Sequence, residues 1–244
     1  IFQLSRQLQV FLQKVEKDTE EDKWRPSIVC FSENTFKRFH AFDLMKWISF
    51  RYGFGTYIHY IKGYFSSETQ DQSEKELKKL IKVAGHSKSN VFLDTMIGPS
   101  FTATLSQLIQ LPGISGKENN MLMFEYSKYK PEDLGDLIEN YGLIKSAKFD
   151  LCILGSAEKG FGYKKELHVW ITQNDYQNAN LMILLAYILL GHPEWKKAQI
   201  KIFAVFPEEN KKDQKKHLLE LIKEGRLPIS PQNIQIFGYS DGAI

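Results

Sequence analysis

ANLMILLAYILLGHPEW, residues 179–195, contains an unbroken apolar run from Leu181 to Leu190 whose single polar side-chain group is the Tyr187 hydroxyl. A helix that crosses a bilayer needs about 20 such residues, and a run half that long is more often a buried core helix. Asn180 can cap its start and Gly191 can end it. A helix that is apolar all round has to be covered all round. The segment therefore reads as the central helix of an α/β domain. Trp170, Leu184, Leu185, Ile188 and Phe203 are expected to lie buried between sheet and helix layers. Burial of such side chains stabilises by about 1.5 to 3 kcal/mol each, so Leu185→Asp is expected to unfold the second half of the chain.

Working outward, short apolar runs alternate with helices of about 12 residues. PSIVCF, GTYIHYIKGYF, NVFLDTMIG, NNMLMFEYS, FDLCILG, ELHVWITQ, AQIKIFAVF and NIQIFGYS read as strands. AFDLMKWISFRYG, SEKELKKLIKVAG, FTATLSQLIQLPG, PEDLGDLIENYGLIKSA and KKDQKKHLLELIKEG read as the intervening helices, with Pro131 at the start of the fourth. The pattern predicts βαβ units and mostly parallel sheets flanked by helices. The expected organisation is an amphipathic connector helix over 1–22, a first α/β subdomain over 23–130 and a second over 131–244.

The 244 residues carry 32 basic and 29 acidic side chains, a net charge of +3. That provides no general field for holding a polyanion, so nucleic acid is not expected as a partner. Cys30 and Cys152 each sit in a strand-like apolar run and read as buried, reduced thiols. No two of the six histidines are spaced i+2 to i+5 and there is no CxxC, so no metal site is expected. There is no G-x-S-x-G elbow, and Asp133 and Asp136 read as a solvated helix face. No catalytic residue is assigned, and no cofactor is expected.

GISGK, Gly113 to Lys117, resembles a phosphate loop, but Leu111 stands where the first glycine of a Walker motif belongs and Glu118 replaces its Ser or Thr. Lys211, Lys212, Lys215 and Lys216 share one helix face, opposite Leu218, Leu219 and Ile222. That face reads as solvated, with weak contact to anionic lipid as the sharper alternative.

Three stretches carry a resemblance. Residues 166–206, ELHVWITQNDYQNANLMILLAYILLGHPEWKKAQIKIFAVF, run from an apolar strand with Val-Trp through a polar turn and the apolar helix to a basic Trp-containing turn and a second strand. KWRPSIVCF, Lys23 to Phe31, and GISGKENNMLMFEY, Gly113 to Tyr126, are the other two. In this order they resemble the cytosolic C-terminal domain of cation–chloride cotransporters and their prokaryotic relatives. The resemblance covers nearly the whole chain from Trp24 onward. Where the family often has paired glycines before the apolar helix, this chain has QNDYQNAN, and it lacks the long polar insertions of animal relatives.

The resemblance implies two units like universal stress proteins, each a parallel α/β sheet. It implies a non-enzymatic regulatory domain that forms a homodimer at the cytoplasmic face of the cell membrane, beneath the membrane domain of the same polypeptide. The residues that carry Na, K and Cl would lie in that membrane domain, upstream of Ile1. The competing reading is a free-standing nucleotide-binding protein of the universal-stress class. Proteins of that class that bind ATP carry G-x2-G-x9-G-[ST]; Gly113, Gly116 and Ser127 match it, but Tyr126 replaces the third glycine. A side chain there should block close approach of backbone to phosphate, so tight ATP binding is not expected.

Overall fold

A computed structural model describes residues 24–51, 53–85, 89–111, 113, 118–224 and 229–239. The expected connector over 1–22 lies outside them. The strands are β1 (Ser27–Ser32), β2 (Phe54–Lys62), β3 (Val91–Gly98), β4 (Met121–Ser127), β5 (Asp150–Ser156), β6 (Glu166–Thr172), β7 (Gln199–Pro207) and β8 (Ile234–Tyr239). The helices are α1 (His40–Ile48), α2 (Ser67–Ala84), α3 (Phe101–Leu108), α4 (Gly135–Glu139), α5 (Tyr141–Ser146), α6 (Ala179–Leu190) and α7 (Lys211–Glu224). Every expected strand is present, and every strand pairing is parallel. Among the described residues no helix is long and apolar enough to cross a membrane.

The first unit, Ile1–Gly160, holds a five-stranded sheet in the order β3-β2-β1-β4-β5. Alternation along β1, β2 and β4 sends Val29, Phe31, Ile58, Tyr60, Leu122 and Phe124 to one face, where they pack with Leu105 and Leu108 of α3, Leu137 of α4 and Ile144 of α5. Ile28, Cys30, Tyr57, Met121 and Met123 point the other way and are also buried. A Cβ added to Gly55 would stand 2.5 Å from Met45 Sδ of α1, so that glycine lets α1 lie close on β2. Both faces are covered, as parallel sheets require.

The second unit, Phe161–Ile244, holds a three-stranded sheet in the order β6-β7-β8. The division thus falls at Gly160 and not at residue 130. The reason is β5, which pairs residue for residue with β4 from Met121↔Asp150 to Ser127↔Ser156 and so belongs to the first sheet. An apolar run such as FDLCILG does not itself say which sheet it joins.

The core of this unit lies on one side only. Val169, Ile171, Ile200, Ile202, Ala204 and Phe206 pack with Ala179, Ile183 and Ala186 of α6 and Leu218 and Ile222 of α7. The opposite face is open. Trp170 is 54 % exposed and Phe237 47 % exposed. Trp170 stacks on Phe203, ring centroids 4.5 Å apart. The expected burial of Trp170 is therefore corrected, and Phe203 is only partly covered. The helix α6 is likewise buried along one stripe. Ile183 is fully buried, whereas Leu184, Leu185 and Ile188 are partly exposed and Tyr187 is exposed. A helix apolar all round has been placed against one layer of sheet, not between two.

Candidate functional site

In the first sheet β1 is flanked by β2 on one side and β4 on the other. The chain therefore reverses its winding between β1 and β4, and the crevice outside their carboxyl ends is where open α/β sheets bind ligands. A cavity of about 380 Å³ lies there, lined by Phe31, Ser32, Glu33, Asn34, Arg38, Glu125 and the segment from Glu132 to Asp136 among others. The 3₁₀ turn Pro131–Leu134 leads into α4 and closes one wall.

Two interactions organise the crevice. Arg38 Nη2 meets Asp133 Oδ2 at 2.7 Å, with both side chains mostly buried, and straps the β1–α1 loop to the 3₁₀ turn. The Ala41 amide, in the first turn of α1, donates to Glu125 Oε2 at 2.9 Å. Free N–H groups at a helix start attract anions, and here the chain supplies its own carboxylate. Glu125 Oε1 and Arg38 Nε are buried and accept and donate no hydrogen bond within the described residues. With Glu33, Glu132, Asp133, Asp136 and Glu139 around a single arginine, the cavity repels phosphate.

Beside the crevice lies a buried hydroxyl network. Thr35 Oγ1 donates to the Ser32 carbonyl at 3.2 Å and lies 3.0 Å from His59 Nδ1. Tyr57 Oη donates to Thr35 Oγ1 at 3.4 Å. Burial pushes the His59 imidazole below its ordinary pKa and the Tyr57 hydroxyl well above its own. Burial also pushes the Cys30 thiol well up and the Cys152 thiol up to about 11. Cys30 is fully buried, whereas Cys152 is partly covered, and neither is in a disulfide. Among the described residues no three His, Cys, Asp or Glu side chains are grouped to hold a metal ion.

Of the residues singled out by the nucleotide pattern, neither Gly113 nor Ser127 lines this cavity. Gly113 is buried in the segment entering β4, Gly116 lies outside the described residues, and Ser127 is the last residue of β4. Ser127 Oγ accepts from the Tyr129 amide at 3.4 Å. The glycine that matters near Tyr126 is Gly155, where a Cβ would come within 3.0 Å of the Tyr126 hydroxyl.

Two of the three stretches that carried the resemblance, around residues 24–27 and at Asn120, act as clips. Trp24 Nε1 donates to Asp150 Oδ2 at 3.3 Å, tying the start of the domain to β5. Asn120 Oδ1 accepts from the Ser27 amide at 2.9 Å, and its Nδ2 donates to the Arg25 carbonyl at 2.8 Å. The Phe54 amide donates to the Pro26 carbonyl at 2.9 Å. Arg38, Glu125 and the partnered Asp133 were not apparent as a set from the sequence. Glu125 and Ala41 are 84 positions apart, and only the ladder from β1 to β4 brings them together.

The same architecture occurs in a solved structure. The crystal structure of the cytoplasmic domain of a prokaryotic cation chloride cotransporter superposes with a TM-score of 0.61 at 15% sequence identity, covering 89% of this chain and 80% of that one. This chain has the fold of that domain. In sequence it is similar to potassium/chloride cotransporter 3 of Caenorhabditis elegans, 26% identical over 227 residues, which take in 84% of this chain and 20% of the nematode protein. The chain thus spans about a fifth of the length of that relative. No family model matches.

Proposed function

We propose that this chain is the cytosolic regulatory and dimerisation domain of a secondary transporter of the cation–chloride cotransporter type, built from two units like universal stress proteins. The observation that carries the reading is coverage. The likeness to the prokaryotic cytoplasmic domain extends over 89% of this chain, so it concerns a whole domain and not a shared βαβ piece. Symport of Na, K and Cl belongs, on this reading, to a membrane domain of the same polypeptide, and the domain works by binding and relay at the cytoplasmic face without catalysis. The open sheet face of the second unit supports dimerisation with a second copy. Trp170, Phe203 and Phe237 provide its apolar centre, while Glu166 and Lys201 put both signs of charge on the same face. The exposed Lys212, Lys215 and Lys216 of α7 face anionic lipid in this arrangement.

The rival, a free-standing nucleotide-binding protein, fits the crevice poorly, because Glu125 already takes the Ala41 amide at the start of α1. The discriminating test is the gene. Hydrophobic stretches of roughly 20 residues encoded in frame upstream of Ile1 are expected. An open reading frame that begins within a few codons of Ile1 would overturn the transporter reading.

A further inference from the structure

The second unit has a cleft whose chemistry is opposite to that of the first. It lies at the amino ends of β6 and β7 and has a volume of about 540 Å³. Because β6 and β7 are parallel neighbours with Glu166 opposite Gln199, the segments entering them begin side by side. The Gln199 amide donates to the Lys165 carbonyl at 2.9 Å and fixes that register. Buried Trp195 and the 3₁₀ turn Pro193–Trp195 hold the second segment in place.

These segments bring four lysines to one cleft: Lys164, Lys165, Lys196 and Lys197. Lys164 is paired with Glu194 across it. Glu166, its other carboxylate, is taken by Lys201 and His168, whose hydrogen bonds hold it below the usual carboxylate range. Among the described residues Lys165, Lys196 and Lys197 have no carboxylate partner, and all three are exposed. Three ammonium groups thus line one concavity without a carboxylate partner, Lys165 lying 5.9 Å from the Tyr163 ring centroid. Lysine is a point-charge partner for phosphate. Tyr163, 94 % exposed at the rim, adds an apolar surface for the body of a ligand.

We propose that this cleft binds a ligand carrying two or more phosphate groups, whether as a lipid headgroup or as a free polyphosphate. Three cations without a carboxylate partner and a cavity of this volume exceed what a single phosphate needs for neutralisation or for filling. The site is independent of the transporter reading, so either can fail without the other.

The test is calorimetric titration of the 244-residue chain with sodium tripolyphosphate at low salt, alongside co-sedimentation with phosphatidylcholine vesicles with and without phosphatidylinositol bisphosphate. Binding in the titration identifies the soluble source, sedimentation only with the phosphoinositide identifies the lipid, and both together assign recognition to the phosphates alone. The triple variant Lys165→Ala/Lys196→Ala/Lys197→Ala is expected to weaken binding at least about tenfold. Lys75→Ala/Lys78→Ala/Lys82→Ala on exposed α2 changes the net charge equally and should alter affinity less than about twofold once salt screens distant charges. Arginine at all three cleft positions should restore binding. Equal losses from the two alanine triples, or no binding of either probe by the unmodified chain, would overturn the proposal.

Discussion

Ile183→Ala tests the placement of α6. Ile183 is 0 % exposed and packs into the single core of the second unit. The change removes three carbons, each buried methylene being worth about 0.8 kcal/mol, or about 2.4 kcal/mol in transfer free energy. Its neighbours are strand residues fixed by the β6–β7–β8 ladders, so the space collapses only in part. The cavity left behind raises the cost to about 3 kcal/mol or somewhat more. Leu185, two positions on, lies about 200° round the helix and is only partly covered; its truncation should cost about 1 kcal/mol. Urea denaturation of both variants, followed by circular dichroism, measures the difference. The contrast also replaces the expectation that Leu185→Asp unfolds this half: that variant should fold with reduced stability. Should Leu185→Ala prove as costly as Ile183→Ala, α6 is covered on both sides and the one-sided core is wrong.

Gly98→Ala would bring a Cβ to 1.9 Å from Thr104 Oγ1, which donates to the Ser100 carbonyl; a loss of at least about 2 kcal/mol is expected, read by thermal melting and partly recovered in Gly98→Ala/Thr104→Ala. Burial lowers the His59 pKa, so in mildly acidic solution the unfolded chain binds protons more readily at this site than the native chain does. Stability should therefore fall as pH drops below about 6.5, and His59→Gln should flatten that slope in urea melts at pH 7.5 and 5.5. Trp170→Ser/Phe237→Ser should leave the chain monomeric in sedimentation at concentrations where the unmodified chain dimerises; a dimer that survives both changes uses another face. Calorimetric titration with ATP and Mg²⁺ should give a dissociation constant above about 1 mM, and a micromolar value would reinstate the nucleotide reading.

The eight strands were legible because each is a short apolar run bounded by turn residues. What the sequence conceals is which side of each strand is covered. In ELHVWITQ the inward set is Leu167, Val169 and Ile171, and the alternation with His168 and Trp170 was present to be read. The tryptophan made the strand look buried on both faces. Leu184, Leu185 and Ile188 misled similarly, since apolar character records what a residue tolerates and not how many layers surround it. The boundary at Gly160 depended on β5 choosing β4 as neighbour, a long-range pairing with no local signal. At the crevice, Glu125 sits at the end of an apolar strand like any solvated carboxylate. Only the approach of α1 across β1 turns it into the group that fills a helix start.

The open face of the second unit also has an optical consequence. Trp47 and Trp195 are buried and Trp24 is 36 % exposed, whereas Trp170, 54 % exposed and stacked on an aromatic neighbour, is the most open of the four tryptophans. Its indole should emit at longer wavelength than the buried pair and be the one most readily quenched by acrylamide. Whatever covers that face would shift the emission to the blue and shield it from the quencher. The native chain thus carries a label-free fluorescent gauge of whether this surface is occupied, readable in the same cuvette at each step of a dilution series.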